Sequence, residues 1–320
     1  DGSATLAGTA TDAHLASVSV TVNGNSVVAA LSGSQWSRFV SLQSGTNEVR
    51  IVAADEMRSV IGSDAYIGGL INQRSGHLHP LNLCLGEARA AAGLGVRLFE
   101  GSEVVSIEHG AQPVVTTAGG RVKAATVVLA GNAYQQIETR QLSGQVFPAG
   151  SFIIATEPLS EALAREINPL DMAFCDPNYV LDYFRLSADR RLLFGGRCNY
   201  SGRVPASIRR SIEPRMHKIF PQLRDTRIDC EWGGNIGIVV NRVPVIGRAR
   251  DNVYYSLGYS GHGVNMTHAA GEIVAEAIGG TMEKLDLFER VGHWRIPLGQ
   301  ALSGQLVALG MLYYRMLDRL

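Results

Sequence analysis

Hydrophobic and polar positions change their period as the chain advances. Up to residue 54 they alternate with period two: Val18, Val20 and Val22 are separated by Ser19 and Thr21, and the turn dipeptide Asn23-Gly24 follows. Trp36, Phe39 and Leu42 mark a second run, and Gly45-Thr46-Asn47 turns the chain into Val49, Ile51 and Ala53. Such alternation between regular turns predicts an all-β segment, a sandwich or a piece of one. From Asp55 the texture is mixed. Residues 83–92 read as helix, 96–99, 104–108 and 114–117 as strands, and 122–129 as a buried strand ending in Ala130-Gly131. Further on, 151–156 and 191–196 read as strands, 158–166 and 206–220 as helices, 179–186 alternates, and 230–234 and 243–247 are short strands. This middle section predicts an antiparallel sheet with a helix packed on it, inside an α/β or α+β whole.

The most informative stretch is 253–280. Five apolar-rich residues run into Gly258, Gly261 and Gly263, an amphipathic helix follows over 265–278, and Gly279-Gly280 stops it. Strand, glycine loop and helix in that order bring a helix N-terminus, with its free N–H groups and partial positive charge, to whatever lies above it. The natural guest is a phosphate or the electron-rich edge of a cofactor. No Lys-Ser/Thr follows the glycines, so this is not a P-loop, and the spacing is not G-x-G-x-x-G. On spacing alone, a glycine corner without a ligand reads equally well.

The 29 basic and 29 acidic residues balance, which removes the electrostatic argument for nucleic acid or an anionic membrane surface. Cys84, Cys175, Cys198 and Cys230 are far apart and form no C-x-x-C, so reduced cytosolic thiols are expected, with neither a zinc site nor a disulfide framework. His77 and His79, with no third ligand in view, read as polar loop residues before metal ligands. The first residues hold no basic n-region or apolar h-region, so no signal peptide is expected. Leu302, Leu306, Leu309, Tyr313 and Met316 give 301–317 the spacing of a packed amphipathic helix, not of a span. The expectation is a soluble cytoplasmic protein without nucleic-acid, membrane or metal partners.

Several blocks in order carry a resemblance: GSDAYIGGLINQRSGHLHP (62–80), EARAAAGLGVRLFEGSEVVSI (87–107), VVLAGNAY (127–134), LLFGGR (192–197), EWGGNIGIVVNRVPVIG (231–247), GYSGHGVNMTHAAGEIVAEAI (258–278) and GQLVALGMLYYRMLDRL (304–320). They resemble the D-amino-acid oxidase/glycine oxidase-type FAD-dependent oxidoreductases, and among these the bacterial gamma-glutamylputrescine oxidases of polyamine catabolism. The resemblance implies FAD as cofactor, with FAD-binding parts at 55–150 and 240–320 and a substrate-type sheet at about 151–239. It implies that Val104 and Gly131 approach the dinucleotide, and that Gly258, Tyr259, Ser260, Gly261, His262, Gly263, Val264 and Asn265 wrap the pyrimidine end of the flavin. There the helix N-terminus would stabilise negative charge at N1–C2=O of the reduced ring. It implies a small-molecule amine as substrate and molecular oxygen as acceptor, with Trp232, Asn235, Tyr259 and His262 as pocket candidates and no assigned catalytic residue. Relatives that oxidise α-amino acids often carry an Arg soon after the Trp-x-Gly block; here none occurs before Arg242, which favours an amine without an adjacent carboxylate.

Residues 1–54 depart from that pattern. LAGTATD (6–12), SVTVNG (19–24) and GTNEVRIVAAD (45–55) resemble a bacterial immunoglobulin-like repeat, and no G-x-G-x-x-G unit is present. The expected architecture is therefore an incomplete FAD/NAD(P)-binding-type α/β fold at 55–320, preceded by an all-β immunoglobulin-like segment at 1–54. The alternative is an inactive chimeric remnant in which the β-module serves attachment.

Overall fold

A computed structural model describes the backbone of residues 3–9, 19–22, 25–28, 30–32, 35–41 and 49–52, and residues 56–73, 75–178, 181–199 and 204–295. Its first strands are β1 (Ser3–Thr9), β2 (Ser19–Val22), β3 (Asn25–Val28), β4 (Ala30–Ser32), β5 (Gln35–Ser41) and β6 (Val49–Val52). β2 and β3 pair as the alternation predicts, while β1, β5 and β4 form a separate antiparallel sheet. β6 pairs antiparallel with β7 (Gly69–Asn72), from Val49↔Asn72 to Val52↔Gly69. Val52 also enters the main core beside Met57, Val60 and Ile61. A strand pair and shared core thus bridge the boundary expected at 54/55, and no seven-stranded sandwich forms among the described residues. Local alternation marks a strand but does not choose its partner.

α1 (Pro80–Gly93) starts with Pro80 in its first turn and His79 as N-cap, whose Nδ1 accepts the Asn82 N–H at 3.3 Å. The other histidine, His77, places Nε2 3.0 Å from the Asp171 carbonyl oxygen. α1 buries none of its residues. The strand expected at 96–99 is absent: Val96, Leu98 and Phe99 are all more than half exposed, and no described strand lies alongside to pair with them. β8 (Val104–Glu108), β9 (Val114–Thr117) and β10 (Gly120–Lys123) make a meander. The apolar run at 122–129 is divided between β10 and β11 (Val127–Leu129), which belong to different sheets. A continuous hydrophobic run gives no local sign of where a chain changes sheets.

After α2 (Thr139–Leu142) come β12 (Phe147–Thr156), α3 (Glu161–Ile167), β13 (Phe174–Cys175), β14 (Tyr183–Leu186), β15 (Leu192–Asn199), α4 (Ile208–Ile219) and β16 (Ile228–Ile238). The five strands form one antiparallel sheet in the order β13-β14-β15-β12-β16, the sheet expected for the middle section. Ser207 caps α4 by accepting the Arg210 N–H at 3.1 Å. Ile208, Ile212, Met216 and Ile219 form one buried stripe on α4, in the same core as Phe152, Ile154, Phe184 and Phe194 of the sheet. Phe184 stacks on Phe194 at 5.3 Å and on Phe174 at 5.2 Å, and meets Phe220 edge-on at 5.2 Å.

The remaining elements are β17 (Val245–Arg250), β18 (Val253–Leu257), α5 (Gly263–Ile278) and α6 (Glu283–Glu289). β18 lies between β11, which it pairs in parallel, and β17, antiparallel. β11 has no strand on its other edge among the described residues. α5 buries Ala270, Ile273, Val274 and Ala277 against Ile246, Tyr254 and Leu285. No helix of the described residues is long and apolar enough to cross a membrane; the helix expected at 301–317 lies outside them.

His293, just past α6, is an unusual polar group. Both ring nitrogens are buried with no hydrogen-bond partner, and this burial lowers its pKa by penalising the cation. The unfolded chain therefore binds this proton more readily, so stability is complete above about pH 6.5 and is lost as pH falls toward the folded-state value. Replacing His293 with Phe should flatten the loss of thermal stability between pH 7 and pH 5, measured by circular-dichroism melts. Phe194→Ala, which opens a cavity beneath α4, should cost about 3–5 kcal/mol in urea denaturation.

Candidate cofactor and substrate site

Three strand ends converge beside the glycine loop. β18 ends at Gly258, which has φ +74°, and the chain passes Ser260 at +53° and Gly261 at +92° before entering α5. Ser260 is held in its left-handed conformation from both sides: its N–H donates to the Gly237 carbonyl at 2.8 Å, and its Oγ accepts the Val239 N–H at 3.1 Å. Beyond β11 the chain makes a short 3-10 turn over Asn132–Tyr134. Asn132 Oδ1 accepts the Gly258 N–H at 2.8 Å, and the Tyr134 hydroxyl accepts the Asn235 N–H at 2.9 Å. Residues 132–134, β16 and the glycine loop are thereby fastened to one another.

Two glycines make that fastening possible. A Cβ on Gly258 would sit 2.4 Å from Val239 Cγ2, on a backbone already at positive φ, and one on Gly237 would sit 2.3 Å from Asn132 Oδ1. The loop then hands over to α5, whose N-cap His262 provides no side-chain cap and whose first turn carries no acidic residue. Gly261, His262, Val264 and Asn265 are exposed. The first-turn N–H groups and the positive end of a 16-residue helix therefore face outward without a competing carboxylate.

Not every sequence-derived candidate faces that opening. Gly258, Tyr259 and Ser260 are buried. The Tyr259 ring packs with Ala270 and Ile273, and its hydroxyl lies 2.7 Å from Ser256 Oγ. Burial raises the phenol pKa, with the Ser256 hydrogen bond opposing it, so Tyr259 is a neutral core residue whose side chain supports the loop from beneath. Gly131 immediately precedes Asn132 at the end of β11. Val104 opens β8 in the meander, opposite Thr117; Ile107 of the same strand packs on the core containing Val127 and Leu129.

The second wall is the sheet face opposite α4. Trp232, Ile153, Gly195 and Tyr183 lie in one cross-strand row over β16, β12, β15 and β14, so their side chains share a face. Trp232 remains 43% exposed. Tyr183 leans over Gly195, where a Cβ would meet its ring at 2.1 Å, and its hydroxyl reaches Ser151 Oγ at 2.5 Å. The neighbouring Asp182 is turned the other way and pairs with Arg215 of α4 at 2.7 Å. Asn235 is tied to Tyr134 through its backbone, two positions beyond Gly233. Sequence reasoning missed Asn132, Tyr134, Ser151 and Tyr183. Only the first two lay in a quoted block, VVLAGNAY (127–134), and their partners are more than 100 residues away.

This arrangement fits an FAD. Exposed N–H groups at an uncapped helix end suit the electron-rich pyrimidine edge of a flavin, and glycine backbone permits the close approach a flat ring needs. A cavity of about 170 Å³ lined by Asn132, Gln135, Leu142, Val146 and Leu257 is too small for a dinucleotide.

The model of the FAD dependent oxidoreductase family matches residues 16–277, which includes much of the segment expected to be immunoglobulin-like. Gamma-glutamylputrescine oxidoreductase of Escherichia coli (strain K12) is 42% identical over 287 residues, covering 89% of this chain and 66% of that protein. A probable oxidoreductase, OrdL, of Haemophilus influenzae is 41% identical over 86% of this chain and 64% of its own. The chain thus spans a little under two thirds of the length of these relatives. Among solved structures, glycine oxidase from Geobacillus kaustophilus superposes with a TM-score of 0.66 at 21% identity, over 76% of this chain and 68% of that one. L-proline dehydrogenase from P. horikoshii gives 0.61 at 23% identity, over 74% and 66%. An inactive remnant gains no support from these similarities, and the chain belongs to the FAD dependent oxidoreductases, a family of flavoproteins.

Proposed function

We propose that this chain takes part in the FAD-dependent oxidation of a primary or secondary amine of the γ-glutamylputrescine type, with molecular oxygen as the electron acceptor. The observation that carries the reading is the pairing of an open, uncapped α5 N-terminus with the Trp232–Ile153–Gly195–Tyr183 face, a row of aromatic and apolar groups without a cation. Arg185, two residues beyond Tyr183, gives its guanidinium to the Leu78 and Leu186 carbonyls at 3.0 and 3.2 Å. Arg242 is exposed in the turn after β16. Among the described side chains, a substrate carboxylate beside the reacting carbon would thus find neither arginine free as the bidentate partner that α-amino acids require. The 42% identity to gamma-glutamylputrescine oxidoreductase supports the same substrate class.

FAD, when bound, supplies the two-electron oxidation of the amine C–N bond. The protein's share is placement and electrostatics. The α5 N–H groups stabilise negative charge at the pyrimidine edge, Trp232 and Ile153 exclude water from the amine, and the Tyr183–Ser151 hydroxyl pair offers it a hydrogen bond.

Purified protein incubated with FAD should show the absorption bands of a bound flavin after desalting. They should bleach anaerobically with γ-glutamylputrescine and return in air with release of peroxide. A colourless protein after excess FAD would sink the proposal. Trp232→Ala should leave the flavin spectrum in place and raise KM for the amine about tenfold, equivalent to 1.4 kcal/mol of lost contact.

A further inference from the structure

We infer that Asn132 is a positioning residue for FAD: it sets the backbone of the glycine loop and, through it, the aim of the α5 N-terminus. The inference rests on the reading above that this loop faces the flavin. Two independent features single out the residue. Its backbone has φ +47°, a region that asparagine tolerates better than most residues with a side chain. That conformation accompanies an Oδ1 placed 2.8 Å from the Gly258 N–H, the first amide after β18.

The surroundings are built around this carboxamide. Gly237 lacks a side chain where Asn132 Oδ1 lies, since a Cβ there would come within 2.3 Å of it. The Gly237 carbonyl, on the same peptide stretch, accepts the Ser260 N–H. Asn132 therefore touches the loop directly at Gly258 and lies against the β16 residue that holds the loop again at Ser260. Moving the carboxamide releases the first loop anchor and opens space beside Gly237, which carries the second. The hydroxyl of Tyr134, two residues on, holds the same strand at Asn235. No other described side chain accepts the Gly258 N–H, so a change at Asn132 has no substitute nearby.

Substitutions separate the two features. Asn132→Gly keeps the left-handed backbone and removes the acceptor; Asn132→Asp keeps both, and Asn132→Ala loses both. Two readouts are needed: amide hydrogen exchange over 258–265 in the cofactor-free protein, and FAD affinity with the position of the bound-flavin absorption bands. Asn132→Gly should exchange about tenfold faster across 258–265, with the α4-packed sheet unchanged, as expected when one buried hydrogen bond is removed. It should bind FAD about tenfold more weakly, with shifted bands. Asn132→Asp should restore the loop's protection. Unchanged exchange in Asn132→Gly overturns the inference, and so does faster exchange with unaltered FAD affinity and spectrum. If the unaltered protein takes up no FAD, the proposed function fails, and the exchange measurement still decides whether Asn132 holds the loop.

Discussion

The arrangement depends on hydrogen bonds between segments far apart in sequence: Asn132 to Gly258, Tyr134 to Asn235, and Ser260 to Gly237 and Val239. Those at Gly258, Ser260 and Val239 tie backbone amides just past a strand end, and that at Asn235 ties an amide of the edge strand β16, where N–H groups would otherwise lack partners. The geometry requires left-handed backbone at two non-glycine residues and tolerates no side chain at Gly237 and Gly258. Such conformations persist where the surrounding structure over-determines them, and they concentrate at ligand clamps. Here the surroundings are two sheets with separate cores, one under α4 and one under α5. The junction is where their relative placement is fixed.

That division of labour explains which faces are open. α4 covers one face of the five-stranded sheet with an aliphatic stripe and leaves Trp232, Ile153 and Tyr183 on the other. α5 covers β17 and β18 with its small residues Ala270 and Ala277, while its N-terminal turn stays outside the core. Charge is placed with similar economy. Asp182 is buried toward α4 and compensated by Arg215, and Arg185 is occupied by backbone carbonyls. Among the described side chains, the opposite face is left to Trp232, Ile153 and the paired hydroxyls of Tyr183 and Ser151.

Much of this was legible in the residues. Strand β18, its glycine loop and α5 follow from the apolar run and three glycines; the structure extends the helix back to Gly263. The helix expected at 206–220 is α4, whereas its Ser207 cap and buried stripe are details the structure adds. What could not be read was pairing. The alternating residues at 49–52 announce a strand, yet its partner β7 lies beyond the expected domain boundary. The apolar run at 122–129 conceals a change of sheet, and 96–99 has strand composition with no strand to pair with. At the site, Tyr259 sits inside the glycine loop in sequence but points into the core, whereas Tyr183 looks like one more alternating residue and faces outward. Side-chain direction at a bend follows from the φ of its neighbours, here Gly258 and Ser260, which no sequence period encodes.

On the proposed reading, the glycine loop supplies a specific part of cofactor recognition. A helix N-terminus and a glycine bend address the charged edge of an aromatic ring system, over a range of about one helical turn. A pyrophosphate several ångströms away needs its own donors, of the kind a strand, G-x-G-x-x-G turn and helix provide, and the sequence contains no such turn. β11 has no neighbour on one edge among the described residues, and α1 buries nothing, although parallel strands ordinarily sit between covered faces. The matches cover 66% and 64% of these two relatives and leave the rest of each unmatched. On the proposed reading, flavin-edge recognition and the substrate face meet at the junction held by Asn132, and the phosphates of the dinucleotide need donors beyond this loop. Affinity for the isolated flavin ring and affinity for the whole dinucleotide are consequently separable properties of this fold.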